Sequence, residues 1–211
     1  MKAKTHPLEP ERLQALHFYD VLDTDREAEF DDVVQLAARL CNTEIAVINL
    51  IDAERQWFKA EVGLGVRETP LDTSLCAHVI LTEEFVEIPD TLQDPRMSDN
   101  PLCRGDDGLR FYAGALLMSD GGLPIGTLCV LDRSPRTLTT LQHDALRVLA
   151  QQVINQLNLR RALRSADVLR QEVDHRVKNS FQLAASMVRL QASATSSEEA
   201  KAALDVVRGR I

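Results

Sequence analysis

Long apolar runs are missing from this sequence. The longest, such as IAVINLI at residues 45–51, fall far short of the roughly 20 residues that a membrane helix needs. The opening residues MKAKTHPLEP also lack the apolar stretch of a signal peptide. A cytoplasmic protein with no membrane partner is the expectation. Nor is there a stripe of Lys and Arg interleaved with aromatic residues. The net charge of −8 is spread along the chain, so a nucleic-acid surface has no support, and the acidic balance serves solubility. The four cysteines (Cys41, Cys76, Cys103, Cys129) contain no C-x-x-C pair, which argues against structural zinc and against a thioredoxin-like couple. Four free thiols and no metal are expected. A glycine-rich phosphate loop is lacking too, since G-L-G at residues 63–65 is too short and wrongly placed to be one.

Proline and glycine, finally, are nearly absent from the last third. All eight prolines precede residue 136, and all but one of the nine glycines precede residue 127. These residues punctuate turns, so the first two thirds should hold strands and loops, and the last third helix. A chain of 211 residues suits one ordinary core plus an appendage, and 45% hydrophobic with 27% charged residues is the composition of a globular protein.

Residues 10–19 and 29–40 carry apolar side chains at helical spacing (Phe30, Val33, Val34, Ala37, Leu40), so two helices open the chain. Residues 44–63 hold two apolar, β-branched and aromatic runs about a polar turn at 52–55, the pattern of a hairpin. LDTSLCAHVIL, residues 71–81, reads as a helix that Asp72, Thr73 or Ser74 can cap. A short strand at 85–88 ends at Pro89, and a long polar loop occupies 90–108. Long loops are often functional; Arg104, Asp106 and Asp107 are lid candidates there, or plain solvated loop residues. Strands at 111–118 and 124–131 follow, joined by SDGGL. The fold class expected is α+β, a mixed, mainly antiparallel sheet flanked by helices. Thr139 and Gln142 can then form a reciprocal capping box that opens one very long helix running to about residue 192.

On that helix Leu159, Ala162, Leu163, Ala166, Leu169, Val173, Val177, Phe181, Ala184, Met187 and Val188 fall on one stripe. A compact domain cannot bury every side of such a helix, so the stripe from 159 to 188 should pack against a second copy. His175 falls opposite the stripe, with Lys178, Asn179 and Gln182 on the same face. A single exposed histidine is ordinarily just a surface residue. A displayed imidazole is equally what phosphoryl transfer between proteins requires, being a neutral nitrogen nucleophile near neutral pH. Arg176, Lys178 and Asn179 could orient phosphate oxygens, and Asp174 could pair with Lys178 or orient the ring. Ser196 with Glu199 can cap a second helix (Ala200, Ala203, Leu204, Val207, Ile211), giving part of a helical hairpin that would double into a four-helix bundle.

EVDHRVKNSFQLAASMVRLQA, residues 172–192, resembles the phosphoacceptor box of sensor histidine kinases marked by H-R-x-K-N, the HWE-type kinases and their near relatives. The resemblance implies that His175 is the phosphorylated residue. The pieces YDVLDTDREAEFDDVVQLAARLCNTEIAVINLIDAERQWFKAEVGL, TSLCAHVIL and RFYAGALLMSDGGLPIGTLCVLDRSPRTLTTLQHDAL resemble a GAF domain of bacterial sensor kinases. One departure is Leu116, where such domains often carry proline after F-Y-A-G-A. The implied organisation is a GAF domain over 1–157, a signalling helix over 139–171 that overlaps it, and a partial dimerisation and phosphotransfer region over 172–211. A GAF signal would then control phosphorylation of His175 and transfer to an aspartate of a response regulator. ATP and magnesium would be used by the parent kinase, the chain itself being expected to stop before the ATP-binding domain and to need no cofactor of its own. GAF domains bind cyclic nucleotides, bilins, haem or other small molecules, so the ligand is left open. Cys76 near His78 is similar to a bilin-holding pair, though the spacing differs, and Trp57, Phe58, Phe111 and Tyr112 could line a pocket or be core residues. The other reading is a binding and dimerisation module in which His175 is idle, or a bilin or haem sensor.

Overall fold

The computed structural model describes residues 2–82, 84–194, 197, 202 and 206. The chain divides into two units, Met1–Leu159 and Arg160–Ile211.

The first unit is built on a six-stranded sheet. Its strands are β1 (Ile45–Ile51), β2 (Arg55–Val62), β3 (Glu68–Pro70), β4 (Phe85–Ile88), β5 (Phe111–Met118) and β6 (Pro124–Asp132), in the order β3-β2-β1-β6-β5-β4. Every neighbouring pair is antiparallel, so the expected mixed sheet is in fact of one kind. β1 and β6 are central and buried along their whole length, which is why both read as nearly unbroken apolar runs. β3 gave no signal in the sequence: it has three residues, ends in proline and lies at the sheet edge, where a missing N–H costs no ladder bond.

Alternation along the strands sorts side chains onto two faces. On one face Ala46, Ile48, Leu50, Trp57 and Phe111 meet α1 (Glu9–His17), α2 (Ala28–Cys41) and the first turns of α4 (Thr140–Ala194). α2 contributes Phe30, Val33, Val34, Ala37 and Cys41, and α4 contributes Leu146, Ala150, Val153, Ile154 and Leu157. On the other face Val47, Phe58, Tyr112 and Cys129 meet α3 (Cys76–Val79) and the 90–108 loop, which inserts Met97 and Cys103. Residues 71–81 do not make the single helix expected. A 3-10 turn, Leu71–Thr73, precedes the four-residue α3, and Ser74 caps it by accepting from the Ala77 N–H at 3.0 Å.

α4 opens with the expected capping box: Gln142 Oε1 accepts from Thr139 N at 2.8 Å, and Thr139 Oγ1 accepts from Gln142 N at 3.3 Å. One carboxylate fixes this entry from below. Glu87 of β4 accepts from Leu138 N at 2.7 Å through one oxygen and lies 2.6 Å from His143 Nε2 through the other. The second helix expected from Ser196 onward lies outside the described residues, except that Ala202 and Val206 are helical.

Among the described residues two cations are wholly buried, and they hold the N-terminal segment to the sheet. Lys59 Nζ donates to Asp25 O at 2.8 Å, to Thr24 Oγ1 and to Glu27, and sits over the Phe30 ring. Arg12 donates to Ile51 O at 2.7 Å and to both oxygens of Glu9. The Arg12 hydrogen bonds hold the Glu9 carboxyl below its ordinary range, against the opposing effect of burial. A carboxyl depressed on folding contributes stability that is complete above its unfolded pKa, about 4.3, and is lost as the pH falls through the lower folded value. Arg12→Ala should therefore cost about 3 kcal/mol at pH 7, the low end for a broken buried pair because Glu9 can rehydrate. Urea midpoints at pH 7 and pH 3 check this: the gap between wild type and variant should narrow at the lower pH.

Candidate functional site

Within the second unit, His175 and its neighbours on both sides are exposed. The helical repeat brings Asn179 under the ring, with its Nδ2 3.4 Å from His175 Nδ1. That contact engages one ring nitrogen and leaves Nε2 without a protein partner among the described residues. Arg176 is drawn off to an ion pair with Glu172 one turn earlier. The i,i+4 pair that forms here is thus Glu172–Arg176 and not Asp174–Lys178. Lys178, three residues from His175, stays exposed, and Gln182 lies one further turn along. An exposed imidazole with an amide at one ring nitrogen and Lys178 three residues on makes an arrangement that can attack an electrophile and receive the negative charge that arrives with it.

The stripe behind this face is also exposed: Leu163 is 59%, Leu169 62%, Val173 58% and Phe181 53% accessible. Val168, Leu183 and Leu190 are exposed as well, so the uncovered apolar surface is wider than the single stripe read from the sequence. Apolar surface of this extent on a helix marks an interaction face.

The first unit holds a cavity of about 240 Å³. Its walls are the outer face of β1, β2 and β6 (Val47, Phe58, Cys129, Leu131), α3 with its lead-in (Leu75, Cys76), and Leu64, Val66, Leu102 and Leu109 from the loops. Its few polar atoms belong to one chain of side chains. Gln56 Oε1 accepts from Asn49 Nδ2 at 2.9 Å and from Ser74 Oγ at 2.7 Å, and Gln56 Nε2 donates to Thr69 Oγ1. Asn49 is 1% exposed, lines the cavity, and its Oδ1 has no hydrogen-bond partner among the described residues. A buried acceptor left unpaired costs free energy, so this one is poised to receive a donor.

Of the pocket residues suggested by the sequence, the fold brings only Cys76 and Phe58 to the cavity wall. Trp57, adjacent to Phe58 in the strand, must point to the opposite face, where it packs among the helices beneath the Arg67 guanidinium. Phe111 lies on that face too. Tyr112 is buried behind Cys76, donating its hydroxyl to the sulfur at 3.4 Å, and is not part of the wall. His78 is half-buried and is not part of the cavity lining. The loop does cover the cavity, but with Leu102 and Leu109; Arg104, Asp106 and Asp107 are exposed. Asn49 and Gln56 went unnoticed, although an amide inside the otherwise apolar IAVINLI was a visible signal.

Comparison with known proteins gives two family matches, a GAF domain over residues 25–160 and a histidine kinase family over residues 172–211. A cyclic di-GMP phosphodiesterase of Pseudomonas aeruginosa is 40% identical over 136 residues, which cover 62% of this chain and 23% of that protein. The chain therefore spans under a quarter of the curated relative it matches. Among solved structures, the GAF domain of a phosphoenolpyruvate-protein phosphotransferase from Acinetobacter superposes with a TM-score of 0.54 at 19% identity, over 74% of this chain and 96% of that one. A domain assigned to a two-component sensor histidine kinase of Sinorhizobium meliloti gives 0.51 at 15% identity, over 67% and 97%. Free methionine-R-sulfoxide reductase of Neisseria meningitidis gives 0.53 at 16% identity, over 77% and 99%. At these identities the likeness is one of fold.

Proposed function

Since the chain belongs to the GAF domain family and carries a histidine kinase region after that domain, we propose that it is the sensing and phosphoacceptor part of a two-component histidine kinase, with His175 as the residue that is phosphorylated. The observation that carries this reading is the exposed His175 with Asn179 at one ring nitrogen and Lys178 beside it. An ATP-binding domain, in the same polypeptide or another, delivers the γ-phosphoryl group of magnesium ATP. Attack requires the ring tautomer that carries its proton on Nδ1, in which Asn179 Nδ2 releases that nitrogen and the Nε2 lone pair is the nucleophile. It attacks the γ-phosphorus, the bond to the ADP oxygen breaks, and the ring loses its Nδ1 proton as the charge is neutralised. Lys178 offsets the charge of the phosphoryl oxygens. The group then passes to an aspartate of a response regulator. The exposed stripe is the face on which two copies pair.

Signal enters at the cavity of the first unit. Its volume lies below the roughly 300–1,000 Å³ of pockets that take drug-sized ligands, which favours a small, largely apolar molecule over a tetrapyrrole. One N–H or O–H on that molecule would satisfy Asn49 Oδ1. The test is to supply the chain with γ-labelled ATP and a histidine kinase ATP-binding domain, and to map the label. Acid-labile phosphate on the peptide carrying His175 supports the reading. A folded dimer that stays unlabelled would sink it and leave a binding and dimerisation module.

A further inference from the structure

Two thiols meet at the floor of the cavity, and neither the phosphotransfer reading nor the ligand reading uses them. Cys76 Sγ and Cys129 Sγ are 3.7 Å apart, both side chains line the cavity, and Tyr112 donates its hydroxyl to Cys76 Sγ at 3.4 Å. The pair comes from different elements, α3 and β6, and is separated by 53 residues. Cys41 and Cys103 are buried elsewhere, and burial pushes both of their thiols up. Cys76 differs from them: the hydrogen bond from Cys129 is the largest influence on it and holds its thiol down in spite of burial, while the same bond pushes Cys129 up. One sulfur is thus the better nucleophile and the other a neutral thiol waiting beside it.

We propose that Cys76 and Cys129 form a dithiol site that a small hydroperoxide, entering through the cavity, oxidises to a disulfide. The Cys76 sulfur attacks the nearer peroxide oxygen and the O–O bond breaks. The departing oxygen takes the thiol proton and leaves as water or an alcohol, and Cys76 becomes a sulfenic acid. Cys129 sulfur then attacks Cys76 sulfur, the S–O bond breaks, and the hydroxyl leaves with the Cys129 proton as water. The two thiols give up two electrons and the peroxide gains them. The sulfurs must close from 3.7 Å to about 2.05 Å for the bond to form. The new bond ties α3 to a central strand and narrows the cavity floor. A dithiol reductant reverses it by exchange.

The experiment exposes the full chain at neutral pH to hydrogen peroxide, blocks remaining thiols under denaturing conditions and digests without reductant. Free thiols should fall from four to two, with a peptide pair linking Cys76 to Cys129, and dithiothreitol should restore all four. Cys129→Ser should halt at a sulfenic acid on Cys76, captured by a dimedone reagent; the wild-type mapping stands alone if that variant does not fold. Four free thiols after exposure, with unchanged circular dichroism, or linkage through Cys41 or Cys103, would overturn the proposal. Neither outcome depends on whether His175 is phosphorylated.

Discussion

Replacing His175 with glutamine should, on the proposed phosphoacceptor reading, lower acid-labile labelling by at least about 10³-fold while leaving folding untouched, because the variant removes the proposed nucleophile itself and not a supporting group. Glutamine keeps a good helix former at an exposed site and can still meet Asn179, so stability should move by no more than about 0.5 kcal/mol. The two readouts together make the result decisive. Label lost with unchanged helicity and an unchanged oligomeric state places the chemistry on the ring. Label retained in the variant would move the phosphoacceptor elsewhere and reduce His175 to a surface histidine. On the same reading Asn179 should matter less than His175, since it touches the ring and does not itself react.

The second large effect concerns the sheet. Gly126→Ala should destabilise the protein by about 3 kcal/mol or more, and Gly126→Val should leave little folded material. Gly126 lies opposite Leu50 in the β1–β6 ladder, and a Cβ there would run into the carbonyl oxygen of Asn49 and the backbone of Leu50. The clash is with backbone on a central strand, which no rotamer change can relieve. β1 carries an irregularity between Ile48 and Asn49 in its pairing with β2, so its backbone is already displaced where Gly126 approaches. Chemical denaturation of both variants, with Gly122→Ala as a control in the open turn, measures the difference. Gly122 has a positive φ of 74° but open space around it, so strain there is conformational and small by comparison.

Much of the sheet was legible because its central strands are apolar on both faces, and the opening helices because Phe30, Val33, Val34 and Ala37 recur at helical spacing. What sequence could not supply was the choice of face. Trp57 and Phe58, or Phe111 and Tyr112, must point apart, but which member of each pair meets the cavity depends on which side the helices cover. Residues 71–81 read as one helix because their apolar spacing is helical, yet Ser74 takes an extended backbone to reach Gln56, and that polar contact breaks the run. For His175 the local spacing was sufficient, since i,i+3 and i,i+4 neighbours on a helix are fixed by its geometry alone.

The carboxylate of Glu87 reaches both the backbone ahead of α4 and the histidine in its first turn. β4, which carries it, is an edge strand with β5 as its one neighbour in the sheet. Detachment of that strand would therefore strip the helix start of two partners at once. Edge opening and fraying of the first helical turn then form a single cooperative unit, with the amides of Val86 and Leu138 exchanging with solvent hydrogen at a common rate.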